Sequence, residues 1–214
     1  MLKKNKRSLI LSSLLIVLPV IVGLIFWNRL PELMTTHWNW QGTADGKSSK
    51  AFTVIGLPLF ILAMHWFCVL CTGLDPKNKG QNSKVFGMVL WICPVVSLFV
   101  GGVVYADAFG VSFDIDRVFL IMIGAMFVIF GNYMPKCRQN STIGIKVKWA
   151  LQDEANWNAM HRIGGRLWVI GGLLLLVCAF LPEMLIPWLL IVILAVLAVV
   201  PIVFSYVFYK KHQW

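Results

Sequence analysis

The chain has 214 residues, of which 59% are hydrophobic and 13% charged, and its mean hydropathy is +0.79. A soluble domain of this length needs more polar surface than that composition supplies, so the chain reads as a membrane protein. The net charge of +10 would suggest nucleic acid in a soluble protein, but here the position of each cation along the chain decides what it meets.

Lys3, Lys4, Lys6 and Arg7 precede a first apolar run. No small-residue cleavage site follows it; Phe26, Trp27, Asn28 and Arg29 do. The run is near the ~20 residues needed to cross a bilayer, so residues 8–27 are expected to form an uncleaved first span, with Pro19 tolerated inside it. Residues 28–50 contain LPELMTTHWNWQGTADGKSSK, in which Gln41-Gly42 and Asp45-Gly46 are turn signals. They predict a small extracellular cap, a hairpin lying on the membrane with Trp38 and Trp40 in the interface. His37 reads either as a ligand- or pH-sensing group or as a histidine hydrogen-bonded within the cap.

Further spans are expected at 51–74, 85–105, 117–134, 163–181 and 186–209, with a basic segment at 135–162 between the fourth and fifth. With the N-terminus in the cytoplasm, fifteen of the 19 Lys and Arg residues fall inside and only Arg29, Lys47, Lys50 and Arg117 outside. The expected fold is an all-α integral membrane protein of six transmembrane helices with both termini cytoplasmic. It forms one polytopic domain, 1–214, without linker or internal repeat. The basic charge is topology and lipid attraction, not a sign of direct nucleic-acid binding.

Within 135–162, Trp149, Asp153, Trp157 and His161 recur every four residues and would share one stripe of an amphipathic cytoplasmic helix before span five. Asp153 or Gln152 suits its start, and Gly164 and Gly165 allow close helix packing. His161 would contact Asp153 or a neighbouring carbonyl. The helix either stabilises the fold or docks a partner through Lys146, Lys148, Trp149, Trp157, His161 and Arg162.

Chemistry is sparse. All five cysteines lie in or beside apolar runs, and His65, Cys68 and Cys71 read as ordinary residues of a membrane helix rather than a soft-metal site. No metal, cofactor or catalytic residue is assigned. Asp153, Glu154, His161 and Arg162, or His37 and Asp45, would be the acid–base groups of an enzyme, but no known catalytic motif accompanies them. The expected spans hold no Asp, Glu, Lys or Arg in their interiors, which counts against an ion-coupled pump and leaves a neutral-substrate permease as the alternative.

Two stretches resemble a known family. Residues 30–50 are similar to a Leu-Pro…His-Trp-Asn…Gly…Asp-Gly…Ser-Lys pattern, and GNYMPK, IGIKVKWAL, Trp157 and HRIGGRLWVIGG form the second match. Both are similar to bacterial membrane immunity proteins of the SdpI type, which protect against the sporulation-delaying-protein toxin. Lys146-Val147-Lys148-Trp149 departs from the Arg-Thr-Pro-Trp usual in the family. The resemblance implies a multi-pass plasma-membrane protein that confers resistance to a secreted peptide toxin by binding, and signals by holding a transcriptional repressor at the membrane. On the expected topology, His37, Trp38, Asn39, Trp40, Asp45 and Lys47 face the toxin, and the six residues from Lys146 to Arg162 named above face the repressor.

Overall fold

A computed structural model describes residues 2–39 and 41–212. Among them, six helices are long and apolar enough to cross a membrane: Lys6–Ile25, Phe52–Leu74, Ser83–Ala108, Ile115–Lys136, Glu154–Cys178 and Ile186–Lys211. At most 39% of the apolar window of any of them is buried, so most of their surface is left for lipid. The protein is an all-α, multi-pass membrane protein carrying one small two-stranded sheet.

The chain divides into two compact units. The first holds residues up to 73 together with 87–115. It contains α1 (Lys6–Ile25), β1 (Leu33–Trp38), β2 (Ala44–Ser49), α2 (Leu57–Leu74) and most of α3 (Ser83–Ala108). A π-helical turn, Phe52–Gly56, leads into α2 just ahead of Pro58, which has no N–H to continue the ordinary ladder. Polar side chains tie these apolar helices together. Ser97 donates to the Ile16 carbonyl at 2.9 Å and Tyr105 to the Pro19 carbonyl at 2.6 Å. His65, fully buried, lies 3.0 Å from the Ser12 hydroxyl, which itself donates to the Leu9 carbonyl. Ser12 therefore accepts from His65 Nε2–H.

The second unit holds residues 74–86 and 116–214. It contains the start of α3, then α4 (Ile115–Tyr133), a short α5 (Lys148–Gln152), α6 (Glu154–Cys178) and α7 (Ile186–Lys211). Its organising contact is a glycine seam between α4 and α6. A Cβ placed on Gly131 would lie 2.6 Å from the Gly165 carbonyl oxygen, and one on Gly165 would lie 2.7 Å from that of Gly131. Gly124 and Gly172 repeat this reciprocal contact at 2.9 and 2.6 Å. The two pairs show that the helices run antiparallel with their backbones touching, which only residues without a side chain permit. On its other side α6 meets α7 through a buried pair: Asn156 donates to the Ser205 carbonyl at 3.0 Å, and the Ser205 hydroxyl donates to Asn156 Oδ1 at 2.6 Å. A polar pair satisfied in both directions can be buried between apolar helices at little cost.

The basic segment differs from one continuous amphipathic helix. At Asp153 the backbone turns extended (φ −131°, ψ 114°) and its carboxylate caps the Ala155 N–H at 2.8 Å. Trp149 thus belongs to the separate one-turn helix α5, while Trp157 and His161 lie on α6, which starts at Glu154, well before hydropathy alone would begin the span.

Candidate functional site

The hairpin in the first unit is antiparallel, pairing Leu33 with Ser49, Thr35 with Lys47 and Trp38 with Ala44. Its register slips on both sides of His37, which faces Gly46; a Cβ on Gly46 would sit 2.8 Å from that of His37. Asn39 closes the loop: its Oδ1 accepts from the N–H groups of Gln41 and Thr43, both at 3.0 Å, and Gly42 takes the left-handed backbone (φ 67°) that the turn demands. Trp38 packs with buried Leu30, Met34, Val54 and Val104, fixing the hairpin to the helices. A two-stranded hairpin is marginal alone, and this apolar anchor supplies what it lacks.

Lys50 supplies the rest. Its side chain is 8% exposed, and its ammonium donates to the carbonyls of Trp27 and Leu30 (both 3.3 Å) and to Glu32 Oε1 (2.7 Å), while lying over the Trp27 ring. All three ammonium protons have acceptors, so the buried charge is compensated. The charge count places Lys50 on the outer side with Arg29, Lys47 and Arg117; no local signal marks it as buried, because its acceptors come from the turn before β1.

Of the hairpin residues singled out by sequence, His37, Asp45 and Lys47 are exposed. His37 Nδ1 meets Asp45 Oδ1 at 2.5 Å, forming an ion pair at the surface whenever the imidazole is protonated. Trp38 and Asn39 are half-buried and hold the hairpin together. Trp40 lies outside the described residues.

The basic segment of the second unit is built around buried amides. Asn140, fully buried, accepts at Oδ1 from the N–H groups of Thr142 (2.8 Å) and Ile143 (2.6 Å), and donates from Nδ2 to the carbonyls of Arg138 (2.8 Å) and Ile143 (3.0 Å). Gln81 reaches in from the preceding connection, accepting from Arg138 N–H at 3.0 Å and donating to the Arg138 carbonyl at 3.2 Å. Asn78 donates to the Thr142 hydroxyl at 2.8 Å. The Cys137 thiol sits among these groups. Burial pushes it up to about 11, although the hydrogen bonds from Asn140 and Gln81 pull the other way.

Trp157 and His161 complete this lattice from α6. The Trp157 indole donates to the Cys137 carbonyl at 2.9 Å, and its ring stacks on His161 with centroids 4.0 Å apart. His161 Nδ1 lies 2.9 Å from the Trp157 carbonyl, which can only accept, and Nε2 accepts from the Ile145 N–H at 3.1 Å. The ring is therefore the neutral Nδ1–H tautomer, with both nitrogens occupied. Trp157 is 0% and His161 1% exposed, so neither is presented to a docking partner, contrary to the expectation from their stripe. Trp149 is half-buried, its ring packed against Tyr206 and Tyr209 of α7. Only Lys146, Lys148 and Arg162 of the six expected partner-facing residues are exposed. Among the described residues, no three His, Cys, Asp or Glu side chains come close enough to hold a metal ion.

These two places coincide with the comparisons. Residues 136–205, from the segment of Cys137 and Asn140 into α7, match the model of the SdpI/YfhL protein family. Residues 14–62, spanning the hairpin and its flanking helices, match a domain of unknown function, DUF1648. Over 214 residues, covering 98% of each chain, the protein is 27% identical to the immunity protein SdpI of Bacillus subtilis (strain 168). The chain is thus similar to SdpI along nearly its whole length, and to the family model in its C-terminal part. With its six apolar helices it is a multi-pass bacterial membrane protein. No solved structure matches it.

Proposed function

We propose that the chain is a membrane immunity protein that protects its cell from a secreted peptide toxin by binding it. The similarity over nearly the whole chain to a protein named for immunity supports the general role. The observation that carries the binding site is the hairpin. It is a rigidly anchored element whose exposed His37–Asp45 pair and Lys47 are left free of any packing duty. Loops and hairpins fixed to a scaffold are where recognition groups concentrate. In this reading the hairpin faces outward, no catalytic step is required, and the toxin is held before it disrupts the bilayer. In the second unit, Lys146, Lys148 and Arg162 are the residues offered to a cytoplasmic transcriptional repressor, which coupling to toxin engagement would hold at the membrane.

The deciding experiment expresses the protein in a sensitive Gram-positive host, adds mature toxin peptide and follows membrane potential and survival. Retained potential in expressing cells alone is the expected result, with protection lost in a His37→Ala, Asp45→Asn double variant that still inserts. Equal depolarisation, with insertion confirmed, rejects immunity to that peptide.

A further inference from the structure

We propose that the basic surface of the second unit is a binding surface for the phosphate groups of anionic phospholipids. Its cations are Lys77, Arg138, Lys146, Lys148, Arg162 and Arg166. This surface shares Lys146, Lys148 and Arg162 with the repressor-facing set proposed above, so lipid and repressor would compete for them, and it does not depend on immunity.

All six side chains are exposed, and none has an ion-pair partner among the described residues. Two of the nearby carboxylates are engaged elsewhere. Asp75 accepts from the N–H of Lys77 with one oxygen (2.9 Å) and from that of Ser141 with the other (3.0 Å). Asp153 caps α6 through the Ala155 N–H. Asp75 and Asp153 thus organise backbone, Glu154 stands exposed in the first turn of α6 without an ion pair among the described residues, and the six cations are left for an external anion.

The surface is also preorganised. Gln81 clamps the backbone of Arg138 from both sides, Asn78 holds Thr142, and the Arg138 guanidinium lies against Gly80, where an added Cβ would meet Nη1 at 2.9 Å. The connection carrying Lys77 and the segment carrying Arg138 are therefore one piece. Arg162 and Arg166 stand one turn apart on α6, both pointing out. Lys77 precedes the start of α3, Arg138 follows the end of α4, and Arg166 follows Gly165, which abuts Gly131 near that same end of α4, the level at which hydrocarbon gives way to headgroups. A phospholipid phosphate is held in that plane by its own acyl chains, and its oxygens match the fork of a guanidinium.

The test reconstitutes the full chain in vesicles of phosphatidylcholine, with or without phosphatidylglycerol. It reads the thermal unfolding midpoint and, by native mass spectrometry, the lipid retained. A higher midpoint and selective retention of phosphatidylglycerol are expected, both weakening as salt is raised. Changing Arg138, Lys146 and Lys148 to Gln should lower that preference about fivefold per charge removed. Arg138→Lys, which keeps the charge, and Lys47→Gln, on the hairpin, should leave most of it. Equal midpoints and no lipid preference in the unaltered protein would overturn the proposal. So would inorganic phosphate reproducing the whole effect in phosphatidylcholine alone, which would make this a soluble-anion site.

Discussion

The hairpin and the basic segment both drew attention through aromatic and titratable residues, yet they handle them in opposite ways. In the hairpin the charged groups, His37, Asp45 and Lys47, stay exposed while Trp38 and Asn39 hold the element in place. In the basic segment Trp157, His161 and Cys137 are drawn inward and saturated with hydrogen bonds, while Lys146, Lys148 and Arg162 remain outside. An aromatic stripe beside a membrane is thus no guide to a binding face. The test is whether the ring's polar atoms already have partners, and in the basic segment those of Trp157 and His161 do.

That contrast predicts that stability is concentrated in the basic segment and recognition in the hairpin. The largest loss is expected from Trp157→Ala, which empties a fully buried site and orphans the Cys137 carbonyl. About 3–5 kcal/mol should disappear from reversible unfolding in detergent or nanodiscs. A loss under about 1 kcal/mol would mean that the lattice is not cooperative. Next comes Cys137. Burial holds the thiol proton on up to about pH 11 in the folded state, whereas an unburied thiol releases it near 9.0. Its contribution is therefore fully present below pH 9 and is lost as pH rises through about 11, by at most ~3 kcal/mol. Unfolding free energies compared with those of Cys137→Ala across that window isolate the term, and parallel curves would refute it.

Lys50→Met sharpens the comparison from the other side. It removes an ammonium shared by two carbonyls and Glu32, and should cost about 1–3 kcal/mol locally. Faster hydrogen exchange should follow in the hairpin, with the amides of the basic segment unchanged. The smallest effect on stability, within about 0.5 kcal/mol, is expected for Asp45→Asn, because the pair it breaks is exposed. If the hairpin binds the toxin, that same change should be among the most damaging to protection. An Asp45 variant that protects fully would show that the His37–Asp45 pair is not the recognition element.

The spans and the hairpin were legible because hydropathy and turn chemistry act over a few residues. The same holds for Asp153, whose capping role follows from its own short side chain next to an α-helix start. The amide lattice was not legible. Gln81 and Arg138 are far apart in sequence, and nothing near either residue announces the other. The burial of Lys50 is hidden for a similar reason: its compensating carbonyls belong to Trp27 and Leu30, some twenty residues earlier. Reading the recurrence at Trp149, Trp157 and His161 as one face failed at a single residue, where the extended backbone of Asp153 rotates Trp149 out of the stripe.

The glycine seam between α4 and α6 bears on how such a chain can change over generations. Most tight contacts in a protein tolerate a larger residue on one side when a smaller one appears opposite. At Gly131 and Gly165, and again at Gly124 and Gly172, each residue abuts the backbone of its counterpart, and the counterpart is already as small as an amino acid can be. No second-site replacement at the facing position can relieve the first. The seam is a place where compensation is closed, and a mutagenised population selected for folding should return glycine at all four positions while the lipid-facing residues beside them drift.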